Sequence, residues 1–163
     1  MSTLYVDNLQ PNLGSGVLIP GHVVQVVHTW NESQNITVSS DSLTNTGISL
    51  SITPKSASNK IFIDFNIHFV ISNNAAGFRL GIYRSINGGA DQALFDNGQD
   101  YSFYNRADGA SNVTLRSYAP IRYYDSPATT SQVTYKLYGD YHTAPFGINN
   151  GGKSFLSLME IAQ

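Results

Sequence analysis

The sequence predicts an all-β protein, a jelly-roll-like β-sandwich led by an extended N-terminal arm. Three observations carry this. From His22 onward, apolar residues recur at every second position, the period of a strand with one buried face. No stretch sustains the 3.6-residue period of an amphipathic helix. Turn-forming clusters separate the alternating runs, at the spacing of sandwiches and jelly rolls.

Residues 1–21 form the arm. Leu4, Val6, Leu9 and Leu13 are apolar, but Pro11, Gly14, Gly16 and Pro20 interrupt them. Proline lacks an amide donor and glycine loses much entropy on ordering, so no long helix forms here. The apolar residues need cover, and an attachment arm packed on a neighbouring copy, a stalk or a docking protein supplies it. Residues 22–163 make the sandwich domain.

Residues 22–30 read as a β-branched strand, apolar on much of both faces. Residues 31–45 read as a polar loop. In 46–53, Ile48, Leu50 and Ile52 alternate with Gly47, Ser49 and Ser51, and Pro54 ends the run. The strongest strand is 60–71, with Ile61, Ile63, Phe65, Ile67, Phe69 and Ile71 on one face. Residues 78–86 alternate again. Asn87-Gly88-Gly89 follows as a hairpin turn, because these residues accept positive φ. Short strands are expected at 92–96 and 101–104, and a strand bent or edge-like at Pro120 over 113–124. Residues 132–141 alternate. Residues 144–152 read as a turn region, and 153–162 as a final strand apolar on both faces through Phe155, Leu156, Leu158, Met159 and Ile161.

Composition narrows the function. The 163 residues suit one domain. Charged residues make up 12%, about half the ~25% of an average soluble protein. Net charge is -2, so there is no basic field to release counterions from nucleic acid. A surface rich in hydroxyl and amide groups suits neutral partners such as sugars or proteins. There are no cysteines, which excludes disulfide scaffolds and thiolate chemistry. The N-terminus has neither the basic region nor the apolar run of a signal peptide. No stretch approaches the ~20 apolar residues of a membrane helix. The expectation is a soluble protein made in a cytoplasm.

Catalytic constellations are missing. His22, His28, His68 and His142 form no metal-ligand spacing. His22 and His28 stand six residues apart, about 20 Å along a strand. No nucleophile elbow or phosphate loop occurs. Asp91, Asp96, Asp100 and Asp108 cluster in a loop-rich stretch, but match no standard calcium loop. They are read as solvated loop carboxylates at an exposed tip. Catalytic residues, metals and cofactors are therefore not expected, and the protein is not expected to be an enzyme. A polysaccharide depolymerase module would need acid pairs and a long groove, for which this chain is short.

The 10 tyrosines bring apolar area with a polar tip, which suits interfaces and sugar stacking. Two strands apolar on both faces need cover on both, and a second subunit is the natural cover. Tyr135, Tyr138, Phe155 and Leu158 are expected near subunit contacts.

The opening Ser2-Thr3-Leu4-Tyr5-Val6-Asp7-Asn8-Leu9-Gln10-Pro11, running into Gly21-His22-Val23-Val24-Gln25-Val26-Val27, resembles fibre-like virion appendage proteins of marine phages, many infecting cyanobacteria. The segment Leu50-Ser51-Ile52-Thr53-Pro54-Lys55-Ser56-Ala57-Ser58-Asn59-Lys60-Ile61 is similar to one common in them. The ending Ser154-Phe155-Leu156-Ser157-Leu158-Met159-Glu160-Ile161-Ala162 resembles their closing strand. The resemblance implies a jelly roll like C1q and tumour-necrosis-factor domains, trimerised about a three-fold axis. The implied function is a trimeric tail-fibre or fibre-tip protein on the virion, contributing to host-surface adhesion. The implied partners are its own copies, other virion proteins through the arm, and a host-surface glycan or protein, with no nucleic acid and no membrane insertion. A capsid decoration or head-fibre protein without receptor binding is the alternative.

Overall fold

The structure is a computed structural model. It describes residues 19–31, 35–72, 76–96, 102–105 and 114–163. Within them lie eleven strands and no helix: β1 (Val23–Asn31), β2 (Ile36–Val38), β3 (Thr44–Ile52), β4 (Lys60–Ile71), β5 (Ala76–Ile86), β6 (Gln92–Asp96), β7 (Phe103–Asn105), β8 (Leu115–Asp125), β9 (Val133–His142), β10 (Phe146–Ile148) and β11 (Ser154–Ile161).

The strands form two antiparallel sheets. In the first, β1 pairs with β11, β11 with β4, and β4 with β8. The short β2–β10 pair extends this sheet beyond the end of β11, where β10 also bonds to β4. In the second, the order is β3-β9-β5, and both β6 and β7 lie along the far edge of β5. The pairs β1–β11, β3–β9, β4–β8 and β5–β6/β7 nest inside one another along the chain and alternate between sheets. That nesting is a rolled-up hairpin, a jelly roll.

Alternation places the core. Ile61, Ile63, Phe65, Ile67 and Phe69 of β4 face Phe78, Leu80 and Ile82 of β5 across the sandwich, all fully buried. Phe69 meets Phe78 edge-on at 4.8 Å between ring centroids, and Phe78 stacks on Phe146 at 4.3 Å. Deleting one such ring costs about 3–5 kcal/mol.

The turns match their residues. Asn87 and Gly88 both have positive φ, 50° and 73°. Gly89 N–H donates to the Ile86 carbonyl at 2.9 Å. This is a type I′ turn, whose twist suits a hairpin. At the head of β1, Gly21 has φ 84° and His22 N–H donates to the Ile19 carbonyl at 2.9 Å. Pro20 and Gly21 thus occupy the centre of a type II turn.

Residues 31–45 and 144–152 contain strands that alternation did not reveal. β2 and β10 are three residues each and pair with one another. Three residues are too few to display a period of two. The strand expected over 101–104 is found as β7, shifted to Phe103–Asn105.

Candidate functional site: two unlike outer faces

The two outer faces of the sandwich differ in chemistry. On the first sheet, β1, β11, β4 and β8 align their outward side chains in rows across four strands. One row is Val26, Met159, Phe62 and Tyr124. The next is His28, Ser157, Asp64 and Arg122. The third is Trp30, Phe155, Asn66 and Pro120. The first and third rows are chiefly apolar and exposed: Trp30 is 53% and Tyr124 is 60% exposed. Trp30 packs on Phe155 with ring centroids 3.5 Å apart, and Phe62 on Tyr124 at 4.7 Å. The middle row has one ion pair, Arg122 Nε to Asp64 Oδ1 at 3.2 Å. Exposed pairs of this kind contribute little stability.

On the second sheet the outward residues of β3, β9 and β5 are mostly polar: Ser49, Lys136 and Tyr83 in one row, Ser51, Thr134 and Ser85 in the next. Tyr83 stacks on Tyr138 at 3.8 Å. Asp91 accepts from Lys136 Nζ at 2.6 Å and from the Tyr138 hydroxyl. The bond to Lys136 and then that to Tyr138 hold the Asp91 carboxyl below its ordinary range. The same carboxylate pushes the Tyr138 hydroxyl up to about 12. Arg79 pairs with Asp140 further along this face.

The four residues expected at a subunit contact therefore do not share a surface. Tyr135 and Leu158 are fully buried in the chain's own core. The Tyr135 hydroxyl donates to Asp125 Oδ2 at 2.8 Å; burial first, then the nearby carboxylate, pushes its pKa far up. Tyr138 and Phe155 lie on opposite outer faces. Only Phe155 joins the exposed aromatic face. Of the expected tip, Asp91 is a half-buried, doubly bonded carboxylate rather than a solvated one. Asp96 ends β6 opposite Gly81. Asp100 and Asp108 lie outside the described residues, as do the arm residues Leu4, Val6, Leu9 and Leu13.

The residues that make the face but were not singled out as contacts are Trp30, Val26, Met159, Phe62, Tyr118 and Tyr124. Period-two parity with Phe155 marks Met159; the others require knowing which strands are neighbours. Among the described residues, no group of three or more His, Cys, Asp or Glu is placed to hold a metal.

A cleft of about 320 Å³ opens at the β8 edge, between the two sheets. Phe95, Phe103, Tyr118, Pro120 and Leu80 wall it, with Ser102 and Arg122 as its polar members. β6 covers residues 81–84 of β5 and β7 covers 76–78, which leaves Leu80 between them. The Leu80 N–H turns instead to Ser102 Oγ at 2.9 Å.

No protein-family model and no curated protein matches the chain. Among solved structures, it resembles a chain in the structure of the infectious bursal disease virus Gx strain, with TM-score 0.53 and 10% identity over 98% of this chain. It also resembles a chain of the T13 particle of the same virus, with TM-score 0.48 and 11% identity over 98% of this chain. The chain spans 37% and 36% of the lengths of those two chains. The first likeness is one of fold.

Proposed function

We propose that the protein is a structural virion component, a trimeric tail-fibre or fibre-tip knob that assembles through the aromatic face of its first sheet. The observation that carries this reading is the contrast between the two outer faces. A contiguous exposed apolar patch marks an interaction site, and aromatic residues with methionine are enriched where proteins meet. The polar face of the second sheet then remains toward solvent. The likeness of fold to a chain in a virus structure supports placement in a virion, and the resemblance of the opening and closing segments to phage appendage proteins supports the fibre. Host adhesion follows from three copies presenting one surface, because linked weak sites raise avidity without strong single contacts.

Light scattering on the purified protein tests the assembly. The expected particle holds three 17.8 kDa chains. A single-chain mass at every concentration overturns the reading. A capsid-decoration role uses the same face; antibody labelling of intact particles separates head from tail.

A further inference from the structure

We infer that the outer face of the second sheet carries a saccharide site, a neutral hexopyranose ring lying against the Tyr83–Tyr138 stack with its hydroxyls bonded to Asp91 and Lys136. This rests on the adhesive reading above and names the class of ligand recognised.

The β5–β9 register builds the site. Tyr83 lies opposite Lys136, and Tyr138 opposite Gly81. The two rings stack with centroids 3.8 Å apart, so each holds the other in place. Little side-chain entropy is then left to lose on binding. Small residues flank the stack. Gly81 has no side chain, and a Cβ there would lie 3.4 Å from Tyr83 Cε2. On the other side of Tyr83, the residue opposite it in β6 is the exposed Ala93, too short to cover a ring. Both tyrosines are only half-buried, so ring surface stays open to solvent.

Beside the rings stand two groups with hydrogen-bonding capacity to spare. Asp91 follows the type I′ turn between β5 and β6. Its Oδ1 accepts from Lys136 Nζ at 2.6 Å, and its Oδ2 accepts from the Tyr138 hydroxyl. Each carboxylate oxygen has a further lone pair, and the ammonium has donors beyond the one it uses here. The side chains of Asp91 and Lys136 are 21% and 24% exposed. They are therefore within reach of a ligand while their mutual bond fixes their positions.

A sugar meets every part of this arrangement. A pyranose has an apolar C–H face, which packs on an aromatic ring. Its rim of hydroxyls donates to a carboxylate and accepts from an ammonium, and such charge-assisted bonds are the strong ones. The charges of Asp91 and Lys136 cancel, so an anionic ligand gains no net attraction. A purely apolar ligand would cover these charges and give them no partner in exchange for water. One ring on so open a site binds on the order of millimolar, and several linked copies raise that to useful avidity.

The probes are methyl α-glucopyranoside, methyl α-mannopyranoside and methyl β-galactopyranoside, with methyl glucuronoside as an anionic counterpart. Each is titrated into protein with carbon-13-labelled tyrosine rings. The Tyr83 and Tyr138 resonances are expected to move with at least one of the three neutral sugars, and less with the glucuronoside. Asp91→Asn keeps the shape of the side chain and removes its charge. It is expected to raise the dissociation constant about tenfold or more, with an unchanged circular dichroism spectrum. Tyr83→Ala should do the same by removing the stack. Should either variant lose its fold, Lys136→Met removes the ammonium at similar length and is expected to weaken binding likewise. Tyrosine resonances that stay still with all three neutral sugars overturn the inference. So does binding that is unchanged in the folded variants, or that is as tight for the glucuronoside. Sedimentation of the same samples separates the two readings. A trimer that binds none of the sugars sinks this inference alone. A single chain that binds a sugar through Asp91 sinks the assembly reading and leaves the site standing.

Discussion

Glu160 Oε1 accepts a hydrogen bond from Asn59 Nδ2 at 2.7 Å, deep in the chain and 101 residues away in sequence. The same oxygen accepts the Lys55 N–H at 2.7 Å and the Ser56 N–H at 3.3 Å. Oε2 accepts Gln25 Nε2 at 2.6 Å, and that amide also donates to the Thr53 carbonyl at 2.7 Å. One fully buried carboxylate thus ties the β3–β4 turn to β1 and β11. It gives a physical reason why the Pro54–Asn59 segment and the closing strand occur together in the sequence. Each needs the other to satisfy its polar groups.

Removing that carboxylate strands the Asn59, Lys55 and Ser56 donors, while Gln25 Nε2 keeps the Thr53 carbonyl. Hydrogen bonds to charged groups contribute roughly 1.5–3 kcal/mol each at most, and unsatisfied buried donors cost about 1–3 kcal/mol. Glu160→Ala is therefore expected to lose about 3 kcal/mol or more in urea unfolding. Glu160→Gln keeps one acceptor oxygen and should lose less. Equal losses for the two variants would show that packing, not hydrogen bonding, holds the turn.

A second tie crosses the sandwich. Arg84 of β5 pairs with Asp125 of β8 at 2.8 Å, and the Tyr135 hydroxyl donates to the same carboxylate. The group joins both sheets at one end of the core. Breaking a buried pair leaves an uncompensated charge, at about 3–5 kcal/mol. Asp125→Ala is expected to fall in that range, and Tyr135→Phe near 1 kcal/mol. A small loss for Asp125→Ala would mean that water reaches Arg84.

Much of the sandwich was legible in the sequence, and the reasons are local. Alternation over 60–71 marked β4, and Asn87-Gly88-Gly89 marked a hairpin turn, because both signals lie within a dozen residues. β2 and β10 exist only through each other, so neither has a signal of its own. For the contact surface, parity alone settles more than composition does. Tyr135 and Tyr138 are three residues apart, as are Phe155 and Leu158, and residues at odd separation face opposite sides of a strand. Neither pair can share one surface. Which member faces out depends on the neighbouring sheet, and that is long-range information. Trp30 gained its place beside Phe155 only through the β1–β11 register.

The β5–β6 turn yields a smaller prediction. Gly88 has positive φ, and a Cβ there would meet nothing within 4 Å. Any cost of Gly88→Ala is therefore backbone conformation alone, about 1–2 kcal/mol. Thermal unfolding should show that loss, and Gly88→Asn, which tolerates the left-handed region better, should recover part of it.

His68 links the pH dependence of stability to the turn between β10 and β11. Its ring is buried on the outward side of β4, meets Tyr118 edge-on at 5.2 Å, and has Nδ1 without a hydrogen-bond partner. Burial first, then the charge of Arg116, holds its pKa below the usual 6.5. The unfolded chain therefore binds a proton near pH 6.5 while the folded chain stays neutral. Between that value and the lower folded pKa, the unfolded state carries more protons, so stability falls as pH falls. His68→Gln should remove that part of the pH dependence of unfolding. The ring also has a neighbour that fixes its place. A Cβ on Gly152 would lie 2.5 Å from His68 Cδ2, so the turn between β10 and β11 rests directly on the imidazole. Overpacking of this kind costs about 1–3 kcal/mol, and Gly152→Ala should destabilise by that amount. In a His68→Ala background the same change should cost little, because the obstructing ring is gone. A double-mutant cycle measures the difference; additive effects would mean that the backbone of the turn, and not its contact with His68, demands glycine.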